Sequence, residues 1–194
     1  PTHQSRQYDA DRYEIANQKW TALAEEGRGA AVLNDCKYGL SVKGNSLNLT
    51  LLKSALAPDM TADKGRQTFR YALYTWNGSL RDSGVVREAY DLNVPVLIAA
   101  GSGPQPSGSF FGVDADNIVI ETVKPAEDGS RAVIVRLYEA MRTATRCTLT
   151  ASLPVRAAAQ TNLLEEDAQP LTWEAGQVRL DFRPFEIKTV RLSL

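Results

Sequence analysis

Histidine is nearly missing from this 194-residue chain: His3 is the only one. A zinc centre or a Ser-His-Asp triad would have to be assembled almost without imidazole, so neither is expected here. Cysteine is scarce too. Cys36 and Cys147 stand far apart with no CxxC pair, which reads as two buried thiols rather than a disulfide framework. Neither sign of charge dominates: 22 basic residues face 23 acidic ones, for a net charge of −1. That balance lacks the basic excess that marks partners such as nucleic acid or an anionic membrane. No apolar run approaches the ~18 residues that a membrane span needs, and no signal peptide is visible. The chain begins at Pro1 without a methionine. It is therefore expected to be a piece of a longer polypeptide, with any targeting signal or catalytic domain upstream.

What is present is ordinary globular material, 43% hydrophobic and 23% charged, enough to build a core without a metal or disulfide staple. Gln4 to Arg12 has no strong period and is expected as an irregular arm or edge strand. After it the period is two. Ala30 to Leu33 is short and apolar; Leu47, Leu49 and Leu51 alternate with Asn48, Thr50 and Leu52; Phe69, Tyr71 and Leu73 alternate with Arg70 and Ala72. Each predicts a strand with one buried face. Turn chemistry separates them at Tyr38-Gly39, Lys43-Gly44-Asn45, Ala57-Pro58-Asp59 and Asn77-Gly78. Ser83 to Leu92 reads as a helix capped by Asp82 or Ser83, or as a strand ending at Asn93-Val94-Pro95, since Val85-Val86 is β-branched and a proline follows.

Gly101 to Gly108 contains only Gly, Ser, Pro and Gln and cannot pack a core. It predicts a linker, or a long surface loop within one sandwich. Beyond it, Ile118 to Ile120 is a strand and Ala132 to Tyr138 is nearly continuous apolar, the pattern of a central strand. Cys147, Leu149, Ala151 and Leu153 alternate with polar residues, as do Val178, Leu180 and Phe182. Short strands every ten to fifteen residues without long helices indicate an all-β fold, an antiparallel β-sandwich. The expected layout is 1–100 as one β domain, 101–108 as linker, and 109–194 as a smaller C-terminal β-sandwich.

Ala30 to Asp63 reads AAVLNDCKYGLSVKGNSLNLTLLKSALAPDMTAD. This segment resembles the C-terminal region of the family 38 α-mannosidases, particularly the cytosolic type. The likeness begins at Pro1-Thr2-His3 and Gln18-Lys19-Trp20. It continues through Phe69 to Leu73 and Ala89 to Asn93, and reaches Glu121 to Lys124, Arg136 to Ala140, Leu163 to Glu165 and Arg183 to Glu186. The string Asn34 to Gly39 is its most specific part. The sequence departs from the family pattern at Gln67 and at Thr75-Trp76, where the family often has histidine.

The resemblance implies that 1–100 is part of a galactose-mutarotase-like supersandwich. It implies a retaining glycosidase whose nucleophile and divalent metal, usually zinc, lie in an upstream α/β domain. Partners would then be that catalytic domain and an α-mannoside oligosaccharide, in the cytoplasm, with a homo-oligomer open. No catalytic residue and no metal ligand is expected in this chain. Retention needs two carboxyl groups about 5 Å apart.

The residues expected at the rim of the sugar pocket, or at the contact with the catalytic domain, are Asn34, Asp35, Lys37, Tyr38, Lys53 and Asp63. Asp35 or Lys37 would hydrogen-bond a mannose hydroxyl. Lys53, at a strand end, sits where the resemblance places a basic residue near substrate. Each also has a plain structural reading: an Asx-turn for Asn34 or Asp35, a positive φ at Gly39, a core thiol at Cys36, a solvated Lys53. Asp35, Asp59 and Asp63 lack the spacing of a calcium loop and read as turn caps. Trp20, Trp76 and Trp173 read as a stacking platform or as partly buried core, with Trp76 the one most expected in solvent. Glu121, Glu139, Glu165 and Glu186 read as solvated or ion-paired. An autonomous carbohydrate-binding or protein-interaction module is the alternative to an enzyme part.

Overall fold

The computed structural model describes residues 14–101, 103 and 107–194. His3, the Pro1-Thr2-His3 string, the Gln4 to Arg12 arm and part of the Gly101 to Gly108 segment lie outside these. The chain forms two compact units, 1–99 and 100–194. No helix among the described residues is long and apolar enough to cross a membrane.

The first unit carries β1 (Glu14–Ala16), β2 (Trp20–Glu25), β3 (Arg28–Asn34), β4 (Gly39–Lys43), β5 (Ser46–Leu49), β6 (Tyr71–Asn77) and the helix α1 (Val85–Asn93). They make two three-stranded antiparallel sheets, β1-β4-β5 and β2-β3-β6. Two-residue loops close the hairpins: Glu25 pairs with Arg28, and Lys43 with Ser46 across Gly44 at φ +60, the backbone sign that two-residue hairpin turns favour. Leu51 lies beyond the end of β5, so the expected alternation stops at Leu49.

α1 packs on β2 and β3, burying Val85, Val86 and Ala89. The Tyr74 hydroxyl donates to the Ser83 carbonyl at its start. Here the structure corrects the sequence reading. The inward residues of β6 are Ala72, Tyr74 and Trp76, while Tyr71 and Leu73 are 60% and 75% exposed. Both faces of this strand are apolar, so a period of two could not choose between them; the side facing the helix is the covered one. Trp76 is buried rather than solvated, because its indole lies across Gly29. The helix cap is Gly84 at φ +70, with Ser79 capping the short 3-10 turn Leu80–Asp82 before it.

The second unit is a sandwich. It comprises β7 (Phe111–Val113), β8 (Ile118–Pro125), β9 (Ala132–Glu139), β10 (Thr145–Ala151), β11 (Ala157–Thr161), β12 (Gln169–Leu171), β13 (Gln177–Phe182) and β14 (Ile187–Ser193). The sheets are β13-β10-β7 and β12-β11-β14-β9-β8. Cys147, Leu149, Val178, Leu180 and Phe182 from the first meet Val135, Leu137, Val190 and Leu192 from the second. Each fully buried leucine contributes about 1.5–3 kcal/mol. β9 lies between β14 and β8, as its near-continuous apolar run predicts. Cys147 is core, and burial pushes its thiol up to about 11.

Candidate functional site

Asn34, the last residue of β3, organises the candidate site. It is fully buried, so its amide must find partners inside the protein. Its Nδ2 donates to Asn17 Oδ1 at 2.7 Å, and its Oδ1 accepts the Lys37 amide at 2.9 Å. Asn17 in turn donates to the carbonyls of Lys37 and Tyr38, while Asn93 at the end of α1 donates to the Asn34 carbonyl at 3.0 Å. Three asparagines therefore fix the Asp35–Tyr38 turn to β1, β3 and α1. Asn17 and Asn93 were not legible as site residues, since their partners lie 17 and 59 positions away.

Asp35 does not hang free over a pocket. Its Oδ1 accepts the Arg70 amide at 2.9 Å and its Oδ2 faces the Arg70 guanidinium at 3.2 Å. These contacts, the amide first, lower its pKa below the ordinary carboxylate value. Asp63 is held alike: its Oδ2 accepts the amides of Ser54 and Lys53 at 2.9 and 3.1 Å. The amides of Ser54 and Lys53 lower its pKa, with a smaller contribution from the charge of Lys37. The Lys37 ammonium lies 4.9 Å from the centroid of the Phe69 ring, a cation–π contact.

The structure thus brings Asn34, Asp35, Lys37 and Asp63 into one neighbourhood, joined by Phe69 and Arg70. Lys53 enters through its backbone only; its side chain, like that of Tyr38, is exposed. Two readings need correction. Cys36 is exposed, not core: it occupies the turn beside Asp35, whose hydrogen bond is the main cause raising its thiol pKa. Gly39 does not have a positive φ. It opens β4 as a strand residue, with a position for a Cβ only 3.5 Å from Thr50.

Asp59 caps its own turn through the Thr61 amide and hydroxyl. Glu165 pairs with Lys124 and Glu186 with Lys188. Glu139 is not solvated, and among the described residues it has no ion-pair partner. It is buried and accepts from Asn117 Nδ2 and from the amides of Met141 and Phe185. Among the described residues, no three His, Cys, Asp or Glu side chains are grouped to hold a metal ion.

Comparison with known proteins gives this geometry a context. Residues 1–61 match the glycosyl hydrolases family 38 C-terminal domain, and 117–190 match the family 38 C-terminal beta sandwich domain. The chain is 43% identical to Alpha-mannosidase 2C1 of Homo sapiens, with 100% of this chain and 19% of that protein aligned. It is 36% identical to Alpha-mannosidase G of Dictyostelium discoideum, over 98% of this chain and 18% of that protein. The chain spans about a fifth of the length of these relatives. A solved α-mannosidase from Enterococcus faecalis V583 superposes with a TM-score of 0.71 at 22% identity, over 92% of this chain and 21% of that one, which speaks to the fold. The chain belongs to glycosyl hydrolase family 38, and what it carries is the C-terminal β part of the family's α-mannosidases.

Proposed function

We propose that this chain is the non-catalytic β part of a retaining α-mannosidase that hydrolyses terminal α-linked mannose in the cytoplasm. It packs against and supports an upstream catalytic domain of the same polypeptide. The carrying observation is the fate of the carboxylates: those of Asp35 and Asp63 are already engaged by backbone amides. A nucleophile and an acid must instead face a common sugar. The described residues do not fit a divalent metal either, so no metal-assisted step is assigned to them. Under this reading the metal and the nucleophile belong to the upstream domain.

The test is turnover of an aryl α-mannoside with divalent metal present. The full-length protein is expected to cleave it and the purified 194-residue chain to be inert; turnover by the short chain would overturn the reading. Calorimetric titration of the short chain with a mannoside separates the alternative, since a carbohydrate-binding module would release heat on its own.

Within this reading, the buried asparagines and the two aspartates hold the turns, and Lys37, Tyr38 and Lys53 present themselves to the pocket rim. Lys53→Ala in the full-length enzyme is expected to lower kcat/KM about tenfold, the loss of about 1.4 kcal/mol of sugar contact. Unchanged kinetics would remove Lys53 from the rim.

A further inference from the structure

The stretch that follows α1 is apolar and bare. Val96, Leu97 and Ile98 are 87%, 93% and 94% exposed, and Val94 is exposed as well. Asn93 to Ala100 contains no charged residue. Consecutive aliphatic side chains left in water are unfavourable and mark a surface that something covers. Among the described residues, none hydrogen-bonds to the backbone of Val96, Leu97 or Ile98.

The chemistry of the stretch is that of a strand. Valine and isoleucine fit a pleated, buried surface. In extended form Val94, Val96 and Ile98 fall on one face, and Pro95, Leu97 and Ala99 on the other. Both faces are then apolar, the pattern of a strand covered on both sides rather than one with a wet face. Pro95 stands near the beginning, where a missing N–H is tolerated. The backbone already leaves the helix in this form: Val94 has φ −110 and ψ 100.

We propose that Val94–Ala99 is a β-strand that adds to the edge of a sheet supplied by another part of the same polypeptide, outside residues 1–194. The proposal rests on the reading of the chain as part of an α-mannosidase. The length of the relatives favours this occupant. The human relative matches all of this chain with only 19% of its own length, so ample chain exists there to furnish an edge. The stretch carries no charge with which to select a separate partner, whereas backbone pairing to a tethered edge needs none. A freely exposed two-faced apolar strand also invites aggregation, which permanent cover within one polypeptide removes.

Hydrogen exchange decides it. In the full-length protein the amides of Val96, Leu97 and Ile98 are expected to exchange at least about a hundredfold more slowly than in the 194-residue chain, as paired strands do. Equal exchange rates in a full-length preparation that cleaves an aryl α-mannoside would overturn the strand and leave the functional reading intact. Protection without mannosidase activity would sink the functional reading alone. Protection that rises with concentration in the 194-residue chain, up to the full-length level, would put a second copy on the segment and also overturn the proposal. Leu97→Asp is expected to lower the Tm of the full-length protein and to leave that of the short chain unchanged. Should the full-length variant fail to fold, exchange in the unmodified protein still gives the answer.

Discussion

At the scale of single residues, the acids of the candidate site are held first by backbone amides. Asp35 and Asp63 stand out in the sequence as acids near turns. Their partners are amides of Arg70, Lys53 and Ser54, and an amide leaves no mark in composition. Glu139 makes the same point more sharply. Burial alone would raise its pKa, but donation from the Phe185 amide, Asn117 and the Met141 amide more than offsets this, and the net shift is downward. A carboxylate with a depressed folded pKa contributes stability above its unfolded pKa, about 4.3, and loses it as the pH falls through the folded value. Glu139→Gln, which sets an amide NH2 against these donors, is therefore expected to cost about 2 kcal/mol at neutral pH. Urea unfolding checks this, and the gap between the two proteins should shrink as the pH drops below about 4.

At the scale of elements, legibility followed from whether one face or both were apolar. Cys147, Leu149 and Ala151 on β10, and Val178, Leu180 and Phe182 on β13, alternate with polar residues, and each of them is buried. β6 offers Tyr71 and Leu73 on one face and Tyr74 and Trp76 on the other, so its orientation waited on α1. The element that locks this orientation is β3, through Gly29. A Cβ there would meet Trp76 Cζ2 at 2.1 Å. Gly29→Ala is expected to push the indole off the strand and to cost about 2 kcal/mol, in the range of overpacked sites. A lower Tm together with a red-shifted tryptophan emission would report it; an unchanged Tm would show that Trp76 is free to move aside.

At the scale of the whole molecule, the sheet β2-β3-β6 is covered by α1 on one face and leaves Leu73 and Tyr71 in solvent on the other. The purified 194-residue chain is expected to associate through that face at high concentration. Light scattering reads the mass, and Leu73→Lys should bring it toward the monomer; a wild-type monomer at every concentration would remove the expectation. The family was legible from contiguous strings such as Asn34 to Gly39, in which Asn34 and Asp35 are held by partners distant in sequence. The three amides that lock them carry a separate consequence. Asn17, Asn34 and Asn93 have no charge to lose and none for dissolved ions to screen. The second unit ties its loops with charges, Lys124 to Glu165 and Arg191 to Asp128, whereas the Asp35–Arg70 ion pair at the first unit's turn is backed by these uncharged bonds. Concentrated salt should therefore loosen the Glu127–Ser130 and Asn162–Asp167 loops while the Asp35–Tyr38 turn keeps its shape, a difference that amide chemical shifts recorded across a salt series would display.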